Sequence, residues 1–266
     1  MQDLRITLVQ TSLFWEDPDA NISNLRRLLE GFDTPTDLII LPEMFNTGFT
    51  MAARRNAEFM DGSTMKWMSE MAKVKHCVIC GSLIINEADK HYNRLIWMRP
   101  DGSYDQYDKK HLFRMGEEHL HFDAGNKRLI VELKGWKIMP LVCYDLRFPV
   151  WSKNHYYEGE YSYDLLLYLA NWPAVRTDAW TSLVKARAIE NLSYAAGVNR
   201  IGTDGRGYEY SGDSLIASPW GEVISDIVKR EESISTISLN AGKLTDIRTK
   251  IGVGKDWDEF DIRKIQ

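Results

Sequence analysis

Leu141-Val142-Cys143-Tyr144-Asp145-Leu146-Arg147-Phe148-Pro149 closes an apolar run at the point where a chain leaves a buried strand. A thiol at such a strand-to-helix elbow is held rigidly by the strand. The turn that follows presents backbone N–H groups and a helix N-terminus, which favour thiolate and developing negative charge. Taken alone, a single Cys more often serves as a small buried hydrophobe, so the segment has to be read with its surroundings.

Working outward, strand-like runs occur at 4–9, 37–41, 76–85, 92–98, 128–133, 137–143, 164–170, 194–200 and 233–239. Two more, 213–218 and 222–228, flank the turn Pro219-Trp220-Gly221, and Asp101-Gly102 marks another hairpin. Helical spacing of apolar residues predicts helices over 21–31, 64–75, 149–160 and 177–191. Strands alternating with helices, interrupted by hairpins, predict an α/β fold with a mixed sheet inside and helices outside. No repeat or linker divides the chain, so one domain over 1–266 is expected. Its core spans about 4–239, and a C-terminal tail, 240–266, is expected to end by packing on a neighbouring surface or a second subunit.

Composition narrows the function classes. Hydrophobic residues make up 44% and charged residues 27% of the 266, which is ordinary for a soluble globular protein. A net charge of -5 argues against nucleic acid or an anionic membrane as partner. Three cysteines are too few for a disulfide framework, which points to a reducing cytoplasm. The first residues, Met1-Gln2-Asp3-Leu4-Arg5, lack the basic and apolar regions of a signal peptide, and no apolar run is long enough for a membrane span.

Three further segments share the strand-end position of Cys143: Leu41-Pro42-Glu43-Met44-Phe45, Tyr107-Asp108-Lys109-Lys110-His111-Leu112-Phe113 and Ala170-Asn171-Trp172-Pro173. In α/β sheets, ligand sites gather beyond strand ends, so these loops can converge. A thiol, a carboxylate and an ammonium form a coherent set for acyl transfer. The carboxylate takes the thiol proton and returns it to the leaving nitrogen. The ammonium and the backbone N–H after the nucleophile, that of Tyr144, hold the oxyanion. Individually each has a plainer reading: Glu43 as a solvated carboxylate, Lys109 and Lys110 as an exposed pair, Asp145 and Arg147 as structural ion pairs. Cys77-Val78-Ile79-Cys80 has C-x-x-C spacing but lies in a strand-like run whose residues three apart face opposite sides. His111, His119 and His121 read as loop residues at a pocket entrance or on the surface.

Leu41-Pro42-Glu43, Tyr107 to Phe113, and Val142 to Pro149 together resemble the three signature segments of the nitrilase, or carbon–nitrogen hydrolase, superfamily, in the same order. Asn171-Trp172-Pro173 and Lys185 to Asn191 add to the likeness, which runs from about Arg5 to Ser238. The resemblance implies a four-layer α-β-β-α sandwich and a Glu43–Lys109–Cys143 triad with no metal or organic cofactor. It also implies a second glutamate after the lysine, best matched by Glu118 with Glu117 the near alternative, which holds the lysine and positions substrate or water. Lys110 departs from a position that is often aliphatic. Asn46-Thr47-Gly48-Phe49 is similar to the omega-amidase branch, which implies a terminal amide of a 2-oxo acid as substrate. Arg147 or Arg176 would meet its carboxylate, with Phe45, Phe113, Tyr144 and Trp172 read either as pocket walls or as plain core. The family's association through helices beside the elbow implies a homodimer or larger homo-oligomer, with Trp151, Tyr156 and Tyr157 at the interface. Other linear amides, nitriles, N-carbamoyl compounds, transfer to an amine and a silent interaction protein remain the alternatives.

Overall fold

The computed structural model describes residues 1–262. Strands are numbered in chain order: β1 (Leu4–Gln10), β2 (Leu38–Ile40), β3 (Val78–Glu87), β4 (Lys90–Met98) and β5 (Tyr104–Asp108). Next come β6 (Val131–Leu133), β7 (Trp136–Val142), β8 (Tyr156–Tyr157), β9 (Glu160–Tyr161) and β10 (Leu165–Ala170). The last are β11 (Tyr194–Asn199), β12 (Ile201–Thr203), β13 (Glu209–Ser211), β14 (Leu215–Ala217) and β15 (Ser233–Leu239). The α-helices are α1 (Pro18–Glu30), α2 (Ala53–Asn56), α3 (Ser63–Lys75), α4 (Pro149–Ser152), α5 (Thr177–Glu190) and α6 (Ala241–Ile251).

Two large sheets carry the fold. One has the order β15-β1-β2-β3-β4-β5 and the other β14-β11-β10-β7-β6. In each, the central strands are parallel and the edges antiparallel. The parallel strands read as unbroken apolar runs because both their faces are covered: Leu165-Leu166-Leu167-Tyr168-Leu169-Ala170 is buried throughout. One face of each sheet meets the other in a shared core. There Leu4, Ile6 and Leu8 of β1, with Ile40 and Trp97, join Ile138, Leu167 and Val198. The outer face of the first sheet packs through Val9, Ile39 and Ile79 on Leu25 and Leu29 of α1 and Met68 and Met71 of α3. Trp180, Val184 and Ala188 of α5 cover the second sheet. The result is the expected four-layer α-β-β-α sandwich.

Cys77 joins the core beneath α1 and α3, whereas Cys80 joins the core between the sheets, so the pair faces opposite ways. The helix expected over 149–160 is much shorter. After α4 the chain folds into the β8–β9 hairpin, whose turn residues Glu158 and Gly159 both have positive φ, 50° and 90°. That pairing favours a two-residue hairpin loop over a continuing helix. The strand expected over 222–228 is reduced to a single bridge between Val223 and Ala217. In the tail, α6 contributes Ala241 and Leu244 to the shared core, and Trp257 beyond it lies against the Tyr161 ring at 5.6 Å and under Lys153 at 3.8 Å. Residues 263–266 of that tail lie outside the described residues.

Candidate active site

Glu43, Lys109, Glu118 and Cys143 come from four separate segments and meet at one end of the two sheets. Glu43 follows β2 and Pro42, Lys109 follows β5, Glu118 begins a 3-10 turn (Glu118–Leu120), and Cys143 follows β7. The first three are sealed: Glu43 and Glu118 have no exposure and Lys109 has 1%. Lys109 Nζ donates to Glu43 Oε1 at 2.8 Å and to both oxygens of Glu118, at 3.0 and 2.9 Å. Glu118 also accepts the Phe113 N–H at 2.6 Å. The alternative, Glu117, is exposed and only starts this turn from a left-handed conformation.

Two asparagines complete the cluster. Asn93, in the middle of β4, donates Nδ2 to Glu43 Oε1 at 2.8 Å and to Glu118 Oε1 at 3.3 Å. From the opposite sheet, the Asn171 N–H donates to Glu43 Oε2 at 2.9 Å and its side chain to the Glu43 carbonyl. Asn93 was not singled out from the sequence. Its one signal is an amide inside a strand that is otherwise bound for the core.

Cys143 has φ of +42°, a left-handed conformation uncommon outside glycine, and it opens a 3-10 turn (Cys143–Arg147) rather than a long helix. The residue keeps 9% exposure, and its thiol faces the Asn171 carbonyl at 4.0 Å. Burial pushes the thiol well above its ordinary pKa, the Glu43 charge adds to this, and the Lys109 ammonium opposes it. The net direction is toward the thiol, opposite to the pull toward thiolate that an elbow alone would exert. Burial acts to lower the Lys109 pKa, but Glu118, Glu43 and Cys143 outweigh it and raise the net value, so the ammonium stays charged. Glu118 is raised, first by burial and then by Glu43, against the pull of Lys109.

Cys143 and Lys109 border a pocket walled by Phe49, Phe113, Tyr144, Trp172 and Pro173, with Arg147 and Arg176 among the lining residues. Arg147 lies over the Trp172 ring at 4.9 Å and Arg176 over Phe113 at 5.5 Å. Neither guanidinium forms an ion pair among the described residues, so Arg147 is at the pocket instead of in the structural pair its closeness to the elbow suggested. Phe45 does not reach the pocket. The chain reverses at Met44, φ +43°, and Phe45 packs against Trp67 beneath α3 at 5.7 Å. Phe49 and Pro173 take its place as walls. His111 pairs with Asp145 and stacks on Phe148 at 3.7 Å, while His121 is exposed.

The carbon-nitrogen hydrolase family model matches residues 5–249. Omega-amidase YafV of Escherichia coli (strain K12) is 45% identical over 260 residues, covering 98% of this chain and 99% of that protein. The 2-oxoglutaramate amidase of Bacillus subtilis (strain 168) is 34% identical over 255 residues, covering 94% of this chain and 96% of its own. Among solved structures, XC1258 from Xanthomonas campestris, a CN-hydrolase superfamily protein with an arsenic adduct in its active site, superposes with a TM-score of 0.96. It is 44% identical and covers 99% of this chain and 100% of that one.

Proposed function

The chain belongs to the carbon–nitrogen hydrolase family and is an enzyme of that class, and from this premise we propose that it hydrolyses the terminal amide of a small 2-oxo acid. The observation that carries this reading is one pocket holding a thiol and a buried ammonium together with two guanidinium groups that no carboxylate among the described residues neutralises. The thiol and ammonium suit an amide carbon; the guanidiniums suit a carboxylate several atoms away.

In the proposed reaction Glu43 takes the proton of Cys143 as the sulfur bonds to the amide carbon. A base serves at that moment because burial and the Glu43 charge act against the thiolate. The oxyanion is held by the Lys109 ammonium and the Tyr144 N–H, the latter among the first amides of the 3-10 turn and so without a partner one turn back. Glu43 passes its proton to the nitrogen, the C–N bond breaks, and ammonia leaves. Water then attacks the thioester with Glu43 as base, giving the free acid and restoring the thiol. Glu118 keeps Lys109 in place, and Asn93 and Asn171 orient the Glu43 carboxylate.

Ammonia release from 2-oxoglutaramate, 2-oxosuccinamate, simple aliphatic amides, nitriles and N-carbamoyl amino acids tests the assignment. We expect the 2-oxo-acid amides to be preferred, Cys143→Ala to abolish turnover, and Arg147→Gln and Arg176→Gln to weaken selection for substrates with a carboxylate. Turnover retained in Cys143→Ala would rule the mechanism out. We also propose a cytoplasmic homodimer. Free Cys77, Cys80 and Cys143 fit a reducing compartment, and Val150 and Tyr157, 53% and 71% exposed beside the elbow, fit an apolar contact. Trp151, expected at that contact from the sequence, is buried in the core. Light scattering of a monomer at micromolar concentration would refute the dimer.

A further inference from the structure

Asp145 makes and breaks no bond in the reaction above, yet it is wholly buried and its two oxygens gather four hydrogen-bond partners. Oδ2 accepts from the Tyr107 hydroxyl at 2.8 Å and from the Val142 N–H at 3.2 Å. Oδ1 accepts from the His111 N–H at 3.0 Å and faces Nδ1 of the same residue at 2.8 Å. Tyr107 Oη in turn accepts from the Lys110 N–H at 3.2 Å and from Trp151 Nε1 at 3.0 Å.

These partners bracket both reactive groups. Tyr107 and His111 stand two residues to either side of Lys109, while Val142 and Asp145 stand to either side of Cys143. The strands that deliver the two groups, β5 and β7, belong to different sheets. A single carboxylate therefore ties the segment bearing the ammonium to the segment bearing the thiol. It also closes a short ring over Cys143, whose left-handed backbone needs its surroundings to hold it.

We infer that Asp145 is a positioning residue, joining Lys109 and Cys143 so that the ammonium and the Tyr144 N–H converge on one oxygen. The inference rests on the proposed roles of those two residues. A carboxylate suits the position because the Tyr107 hydroxyl and the Val142 and His111 N–H groups donate to it, as His111 Nδ1 does in its Nδ1–H tautomer, and it only accepts. Asparagine keeps the shape, but its NH2 replaces one acceptor oxygen and must oppose at least one of the N–H donors.

The test compares Asp145→Asn and Tyr107→Phe with the unaltered protein, each shown to be folded by near-UV circular dichroism. Steady-state ammonia release from 2-oxoglutaramate separates kcat from KM, and alkylation of Cys143 by iodoacetamide is followed across the neutral-to-alkaline range. We expect folded Asp145→Asn to lose roughly 100-fold in kcat, the scale of a lost oxyanion donor, with KM little changed. Its alkylation curve should move to higher pH, because the thiol loses the ammonium that opposes its upward shift. Tyr107→Phe should show the same two changes, smaller. A folded Asp145→Asn with an unmoved alkylation curve overturns the inference. If that variant does not fold, Tyr107→Phe decides by the same criterion. Alkylation needs no substrate, so a wrong substrate assignment leaves this result standing. Turnover surviving in Cys143→Ala would sink the nucleophile itself, a separate outcome.

Discussion

Lys109 and Glu118 form a two-pronged ion pair with no solvent access, the ammonium lying 3.0 and 2.9 Å from the two carboxylate oxygens. With Glu43 on the same nitrogen, one cation balances two carboxylates inside the protein. Such an arrangement is costly to assemble and more costly to half-dismantle, since a buried charge without its partner destabilises by about 3–5 kcal/mol.

Lys109→Met should therefore lower stability by about that amount and make it depend on pH. Removing the ammonium takes away what pulls Glu118 down and leaves burial and Glu43 raising it. A carboxyl whose folded pKa exceeds its unfolded value favours the fold most below the unfolded value. That stability is lost as pH rises through the folded value. Relative to the unaltered protein, the variant should thus be more stable at about pH 5 than at about pH 8. Chemical denaturation at both values measures this, and an equal deficit at each would contradict the charge balance described.

The three thiols should separate by reactivity. Burial pushes Cys77 up to about 12 and Cys80 higher still, whereas Cys143 is raised but opens on a pocket. Iodoacetamide near neutral pH should label Cys143 first, at a rate that keeps climbing into the alkaline range. Peptide mass spectrometry that found Cys77 or Cys80 modified ahead of Cys143 would discredit the reading.

Asn93→Ala should cost about 10- to 100-fold in kcat/KM, as hydrogen bonds to charged groups contribute roughly 1.5–3 kcal/mol. Asn93→Asp should be worse, because it adds a third carboxylate around one ammonium. Steady-state rates at equal folded concentration check both, and an Asn93→Asp variant with normal turnover would remove Asn93 from the site.

Gly81→Ala tests how tightly the fold backs the site. A Cβ there would lie 2.6 Å from two ring atoms of Phe45, two residues beyond Glu43. Overpacking of this kind costs about 1–3 kcal/mol, so a lower melting temperature is expected. Thermal unfolding unchanged by the substitution would show that Phe45 can yield.

Glu43 and Cys143 stand out in the sequence because each lies at the end of a strand-like run, where such sheets place their chemistry, whereas Lys109 is separated from Lys110 only by family likeness. Glu118 followed only through family likeness. Asn93 was hidden: nothing local marks an amide in β4 as facing two carboxylates, since both partners lie far along the chain. Phe45 reads from the sequence as either pocket wall or core, and the reversal at Met44 that settles it for the core cannot be read from residue type. The Glu158-Gly159 turn did carry a local sign, a glycine at a hairpin position, but the apolar spacing before it suggested helix instead. Arg147 was read by nearness in sequence, while its place over Trp172 depends on a loop from another strand.

Glu43, Asn93 and Lys109 ride on one slab of the sandwich, and Cys143 and Asn171 on the other. In the proposed mechanism neither slab holds a complete centre by itself. Catalytic power regained during refolding would hence report the moment the halves dock, later than the return of strand signal in the far ultraviolet. A chain caught with ordered strands but undocked halves would be silent, whatever its secondary structure content.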